Sequence, residues 1–177
     1  MSLRTPRRHD DLVNYRIKQL QALGGAPAVR ICEGGFGLAR QEWRLLAALV
    51  EHGPRSPTGL ADQVRMERAR VSRTLASLVE KKLAARVSES GDRRRATVRA
   101  TTEGRQLYAR LFPLLAQVNV RLLSVLDDGE LQVFETCLEK LTANAREVLR
   151  TLPADAPKAD RRCGGSRQVW SQRRHIQ

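Results

Sequence analysis

Long apolar runs are missing from this chain: none of eighteen residues, the length that suggests a membrane-spanning helix, occurs in its 177. The opening "MSLRTPRRHD" has neither the apolar stretch nor the small-residue cleavage site of a signal peptide. A cytoplasmic protein with no membrane partner is expected. Cysteine is scarce as well. Cys32, Cys137 and Cys163 are odd in number and have no CxxC spacing, which argues against a disulfide scaffold or structural zinc and fits a reducing compartment. His9, His52 and His175 are scattered, and none stands beside a second candidate ligand at helical spacing, so neither metal nor cofactor is expected. Without a paired nucleophile and base, or a phosphate loop, nothing supports an enzyme.

Acidic residues are also short. Nineteen Asp and Glu against 32 Lys and Arg leave a formal charge of +13 and a pI near 11. That balance points to a polyanion, nucleic acid before anionic membrane, because Lys and Arg gain affinity by displacing counterions condensed on phosphates. The excess is concentrated: residues 65–105 carry a net +7 and the segment from Pro153 a net +4, leaving +2 for the rest. The length suits one compact domain.

Helical periodicity begins at Asp10, a candidate N-cap, with Val13, Ile17, Leu20 and Leu23 on one stripe and Gly24 and Gly25 as a stop. "APAVRICEGGFGL" reads as an irregular connector. A second helix follows in "RQEWRLLAALVEHG", with Trp43, Leu46, Ala47 and Val50 on its stripe and Gly53 as C-cap. A short third helix starts at Ser56 and Pro57 and buries Leu60, Ala61 and Val64. After Arg65 and Met66 a fourth helix, about 67–82, puts Val71, Leu75, Leu78 and Lys82 on one side and Ala69, Ser72, Arg73 and Ala76 on another. A short helix, a tight turn and a longer helix with an Arg/Ser face make a helix-turn-helix, the fourth being the recognition helix.

Ala85 and Val87, then Ala96, Val98 and Ala100, alternate with polar residues on either side of Gly91 and Asp92, predicting a two-stranded wing over about 85–101 with one face inward. Thr101 can cap a long helix to about Leu126, which Pro113 should bend. "DDGE" restarts a helix with Asp127 and Glu130 in a capping box, and Leu131, Phe134, Leu138, Leu141, Ala145, Val148 and Leu152 form its stripe. Two such helices offer more apolar surface than one small winged helix covers. Cys137 lies on this stripe and is expected to be a small buried residue. Residues 153–177 read as a basic, disordered tail and 1–9 as a basic arm.

Over roughly residues 10–152 this order resembles the MarR family of bacterial winged-helix regulators. Asp92, Arg94, Val98, Thr101 and Gly104 stand in register with the family's wing, and Gly37, Leu38, Trp43, Leu46, Leu49 and Gly53 with its upstream helix. Ala39 replaces the usual capping Thr, Ala100 the usual Leu before Thr101, and Lys82 stands where the family often has Gly. The resemblance implies a mainly α fold: a winged helix-turn-helix over 37–101, and a helical dimerisation region over 10–36 and 102–152 in which first and last helices interlock. It implies a homodimer on double-stranded operator DNA with an inverted repeat, more often repressor than activator.

On that reading Arg68, Arg70, Ser72 and Arg73 face the major groove, where arginine grips guanine O6 and N7. Arg94 enters the minor groove, Arg93 and Arg95 meet flanking phosphates, Asp92 orients Arg94, and Arg86 and Arg99 add phosphate contacts. A merely solvated helix or hairpin would also carry charge, but three adjacent arginines serve solubility less well than mixed signs. Family members commonly release DNA on binding phenolic or aromatic acids. Arg16 would pair with the carboxylate and Leu20, Trp43 and Phe112 would supply apolar wall, although such aromatics are more often core. Two alternatives stay open: a thiol-based redox sensor through Cys32, and a basic nucleoid or RNA-binding module that uses the tail.

Overall fold

The computed structural model describes residues 3–87, 97–153 and 155. Asp92, Arg93, Arg94 and Arg95, with the tail that includes Cys163, lie outside the described residues. The chain divides into two compact units, residues 1–125 and 126–177.

The first unit opens with a 3-10 turn, His9–Asp11. Asp10 does not cap the helix that follows, whose N-cap is Leu12 with no side-chain hydrogen bond; Asp11 instead closes the 3-10 turn, its Oδ2 accepting the N–H of Arg7 (3.0 Å) and of Arg8 (3.2 Å). Helix α1 then runs Val13–Arg30, straight through the glycine pair expected to stop it. The reason is packing. A Cβ on Gly24 would meet the Leu122 side chain at 3.0 Å, so glycine allows close approach there, and that contact offsets its weak helix propensity, about 1 kcal/mol relative to Ala. The segment read as an irregular connector continues helically too, widening into a π turn over Ile31–Gly35 before the chain breaks at Gly37, with φ +58°. It is this turn that buries Cys32.

Helix α2 (Arg40–His52) packs against α4 (Arg68–Glu80) and α5 (Thr102–Leu123), and α3 (Pro57–Gln63) packs on α4, all within one shared apolar core. The buried face of α2 is broader than the predicted stripe: Leu45, Leu46, Ala48 and Leu49 are buried, while Trp43, Ala47 and Val50 are half-buried. A helix packed on several sides cannot confine its apolar residues to one narrow stripe. Leu60 and Ala61 of α3, Val71, Leu75 and Leu78 of α4, Leu38 and Leu111 complete the core. Lys82 does not continue the α4 stripe; it is exposed beyond the helix end.

The wing strands are β1 (Ala84–Val87) and β2 (Thr97–Ala100), antiparallel, with Ala84 opposite Ala100, Ala85 opposite Arg99 and Arg86 opposite Val98. The buried positions are Ala84, Val98 and Ala100, so β1 turns the opposite parity inward from that expected of Ala85 and Val87. The sheet also has a third partner: Arg55 and Val98 exchange backbone hydrogen bonds of 3.0 and 2.8 Å, tying the loop before α3 to the wing.

Helix α5 is capped as expected, the Thr101 hydroxyl accepting the Gly104 N–H (3.0 Å), and is continuous through Pro113. The second unit holds α6 (Asp128–Arg150), closed at its start by a reciprocal capping box between Asp127 and Glu130. It buries none of its residues. Cys137 is exposed rather than buried.

Gly104 has the least room of the described glycines. A Cβ there would stand 2.2 Å from the Leu83 carbonyl oxygen and 3.1 Å from Leu46 Cδ1. Backbone would have to move, so Gly104→Ala should cost at least about 1–3 kcal/mol, the usual range for overpacking. A urea unfolding midpoint equal to that of the unsubstituted protein would show that this approach is not as tight as described.

Candidate nucleic-acid interface

The helix-turn-helix is assembled by local chemistry and then clamped from α2. Ser56 Oγ accepts the Gly59 N–H (3.1 Å) and Pro57 occupies the first helical position, so α3 starts cleanly. Its far end is held from outside: Arg44 Nη2 of α2 donates to the Val64 carbonyl (2.7 Å). Arg65 takes the left-handed conformation (φ +48°), and the Met66 N–H closes the turn onto the Ala61 carbonyl (3.0 Å). Helix α4 then begins.

Arg68, Arg70, Ser72 and Arg73 are all exposed on α4, while Val71, Thr74, Leu75 and Leu78 are buried. The four predicted residues therefore stand together on the solvent side of one helix. Thr74, which the apolar stripe had omitted, satisfies its buried hydroxyl by donating to the Arg70 carbonyl (2.9 Å).

The strongest polar contact to α4 centres on Glu42, which sequence reasoning passed over. Glu42 is 4% exposed and takes three donors. Ser77 Oγ donates to Oε1 (2.5 Å), while Lys81 Nζ (2.7 Å) and the Ala39 N–H (2.7 Å) donate to Oε2. Lys81 also donates to the Gly37 carbonyl (2.8 Å). Burial pushes the Glu42 carboxyl up, but the hydrogen bonds from Lys81, Ser77 and Ala39, with the Lys81 charge, outweigh it and hold the group below its usual range. Glu42 also supplies the helix-end hydrogen bond that Ala39 has no side chain to share. Its only local signal was its place three residues after the cap.

At the wing, Arg86 and Arg99 are both exposed, and their pairing with Val98 and Ala85 puts them on opposite faces of the ribbon. The Thr101 hydroxyl donates to the Lys82 carbonyl (2.7 Å) while accepting from Gly104, which joins the base of the wing to the end of α4. Lys82 is left-handed (φ +60°), the backbone state that makes glycine common at such a position.

The residues expected around an effector do not converge. Trp43 stacks on Tyr108 (centroids 5.3 Å apart, 13° between planes) and Tyr108 on Phe112 (5.5 Å, 15°), forming one aromatic ladder between α2 and α5. Tyr108 donates to Glu51 Oε1 (2.7 Å), and burial, with that hydrogen bond and the carboxylate charge, pushes its hydroxyl up to about 12. Leu20 lines a different feature, a cleft of about 460 Å³ between α1 and α5 with Leu23, Pro27, Val118, Arg121 and Leu122. Arg16 is exposed and is not in its lining; Arg121 is the basic residue there. Cys32 is buried, and burial, then Glu33, raise its thiol pKa, the reverse of what a reactive thiolate needs. Among the described residues no group of three His, Cys, Asp or Glu could hold a metal ion, and no single helix is long and apolar enough to cross a membrane.

A family model described as MarR family matches residues 36–95, which spans α2, the helix-turn-helix and the start of the wing. Over that stretch the chain is similar to the MarR family. Solved structures agree with this MarR-type winged helix. A MarR/EmrR family transcriptional regulator from Acinetobacter sp. ADP1 is 24% identical with a TM-score of 0.71, over 79% of this chain and 99% of that one. A MarR family regulator from Silicibacter pomeroyi is 27% identical with a TM-score of 0.65, over 76% and 90%. NadR in complex with 4-hydroxyphenylacetate is 22% identical with a TM-score of 0.64, over 77% and 96%. No curated protein matches the chain by sequence. The match and the fold together make α3 and α4 the two helices of a MarR-type winged helix-turn-helix.

The Glu42 contacts carry a pH signature. A carboxyl held below its unfolded value adds stability that is present above the ordinary Glu range, about 4.3, and is lost as pH falls through the lower folded value. Glu42→Gln should therefore lower stability by about 1.5–3 kcal/mol at pH 7, the scale of hydrogen bonds to a charged group. The gap to wild type should close in acid. Urea melts at pH 7 and pH 4 check this; a gap that widens in acid would reverse the assignment.

Proposed function

We propose that the protein is a homodimeric repressor that binds an inverted-repeat operator and leaves it when a small aromatic acid binds. The carrying observation is the exposed Arg68, Arg70, Ser72 and Arg73 face on an α4 whose opposite side is locked into the core. Two such helices in a dimer enter successive major grooves roughly 34 Å apart, and their arginines grip guanine edges. Arg94 takes the minor groove with Asp92 orienting it, and Arg93 and Arg95 take the flanking phosphates. Arg86 and Arg99, exposed on opposite faces of the ribbon, reach different phosphates. The net +7 between residues 65 and 105 supports this division.

Dimerisation is supported by apolar surface that the single chain leaves open. Ile17, Leu20 and Leu23 on α1, and Phe134, Leu138, Leu141 and Val148 on α6, are all exposed. A soluble chain seldom leaves so much apolar surface uncovered, and a second copy supplies an equal and matching area. The effector reading draws on NadR, whose structure holds 4-hydroxyphenylacetate. The cleft between α1 and α5 has apolar walls and a single guanidinium, Arg121, which suits a small ring bearing one carboxylate. The protein acts in the cytoplasm, where its operator is.

Gel shifts test the DNA reading, with a duplex selected from a randomised pool by the wild-type protein set against random-sequence duplex. Arg94→Ala and Arg73→Ala should each weaken binding to the selected duplex by about 1–3 kcal/mol. Equal affinity of the wild type for both duplexes, lost on deleting residues 153–177, would instead mark a non-specific nucleoid or RNA-binding module. For the effector, 4-hydroxyphenylacetate at 100 times its dissociation constant should stabilise the fold by about 2.7 kcal/mol and release the duplex. An Arg121→Ala variant that responds like the wild type would remove Arg121 from the site.

A further inference from the structure

The polar contacts between α2 and α4 have a geometry that core packing does not need. Ser77 and Lys81 are four residues apart, so they share one flank of α4, the flank that carries Arg70 and Thr74 in the preceding turns. Both reach the same carboxylate, Glu42, and Lys81 extends the link to the Gly37 carbonyl just before α2. On the buried side, Val71, Leu75 and Leu78 meet the core through apolar contacts alone. Apolar contact keeps the face of Val71, Leu75 and Leu78 inward but is non-directional, so it fixes the roll about the helix axis less finely than hydrogen bonds do. Hydrogen bonds are directional and lengthen as soon as the helix rolls.

We infer that Glu42 is a positioning residue for DNA recognition: through Ser77 and Lys81 it sets the roll of α4, and with it which base edges Arg68, Arg70, Ser72 and Arg73 meet. This rests on the reading of α4 as the groove-reading helix. The lever is large. A side-chain tip about 6 Å from the helix axis moves about 2 Å for a roll of about 20°. Hydrogen bonds to a base edge tolerate about 0.5 Å. A roll would leave the phosphate attraction of the arginines almost unchanged, because Coulomb attraction falls slowly with distance, while base discrimination would be lost.

Specificity and affinity can therefore be separated by experiment. The full chain and its Glu42→Gln, Ser77→Ala, Lys81→Met and Lys81→Arg variants are titrated with the duplex selected by the wild type and with random-sequence duplex, at several salt concentrations. Glu42→Gln, Ser77→Ala and Lys81→Met should each lower the preference for the selected duplex about tenfold, the equivalent of one good base contact. Affinity for random duplex should stay within about twofold, with an unchanged salt slope. Lys81→Arg, which keeps the ion pair, should restore most of the preference. A preference retained in Ser77→Ala and Lys81→Met would overturn the inference. So would a parallel loss on both duplexes with a salt slope shallower by about one in Lys81→Met, since Lys81 would then be a phosphate contact. If Glu42→Gln lacks the wild-type circular dichroism, Ser77→Ala and Lys81→Met decide the matter, because Ser77 is only half-buried and Lys81 is exposed. A wild type that prefers neither duplex sinks the DNA reading before any variant is measured, and this inference with it.

Discussion

Beyond its apolar core contacts, α4 is fastened to α2 by a single buried carboxylate. Glu42 receives a hydroxyl, an ammonium and a backbone N–H from three places in the chain: residues 77, 81 and 39. A charge buried to this degree is costly unless every lone pair is engaged, and here the donors are enough to hold it ionised. The same contacts start α2, fasten α4, and through Lys81 fasten the bend at Gly37. Arg44, two residues further along α2, holds the end of α3. One helix thus grips both halves of the helix-turn-helix.

A second constraint sits at the base of the wing, where space rather than charge decides. Gly104 lets the first turn of α5 lie against the Leu83 carbonyl, and that carbonyl accepts the Thr101 N–H (3.1 Å). The Thr101 hydroxyl caps α5 and donates to Lys82 at the end of α4. Recognition helix, wing and α5 therefore meet within a few residues. Helix α5 also carries one wall of the cleft between α1 and α5.

Much of the architecture was legible in the residues. The period of Leu60, Val71, Leu75 and Leu78, the caps at Ser56, Thr101 and Asp127, and the glycine at residue 53 each act through neighbours in sequence, so each appears where expected. The exposed Arg68, Arg70, Ser72 and Arg73 face followed from the same periodicity. What failed was decided from far away. Gly24 and Gly25 look like a helix stop until Leu122, almost a hundred residues later, packs against Gly24. Alternation marked both strands of the wing but not their pairing, and parity in β1 depends on Ala84 meeting Ala100. Arg55 gave no strand signal because a single pair of hydrogen bonds to Val98 makes the third edge.

The candidate sites divide in the same way. By itself the sequence determined where the positive charge concentrates, between residues 65 and 105, and which helix exposes an arginine face there, through local periodicity and capping. It also determined that α1 and α6 carry apolar stripes. Only the tertiary structure decided what orients the recognition helix, since Glu42 finds Ser77 and Lys81 across separations of 35 and 39 residues. Only it separated the aromatic ladder of Trp43, Tyr108 and Phe112 from the cleft that Leu20 and Arg121 line, and buried Cys32 in a π turn. The physical reason is common to all of these. Periodicity and caps act over one or two helical turns, whereas the partner of a buried charge, ring or thiol is chosen by which surfaces pack together.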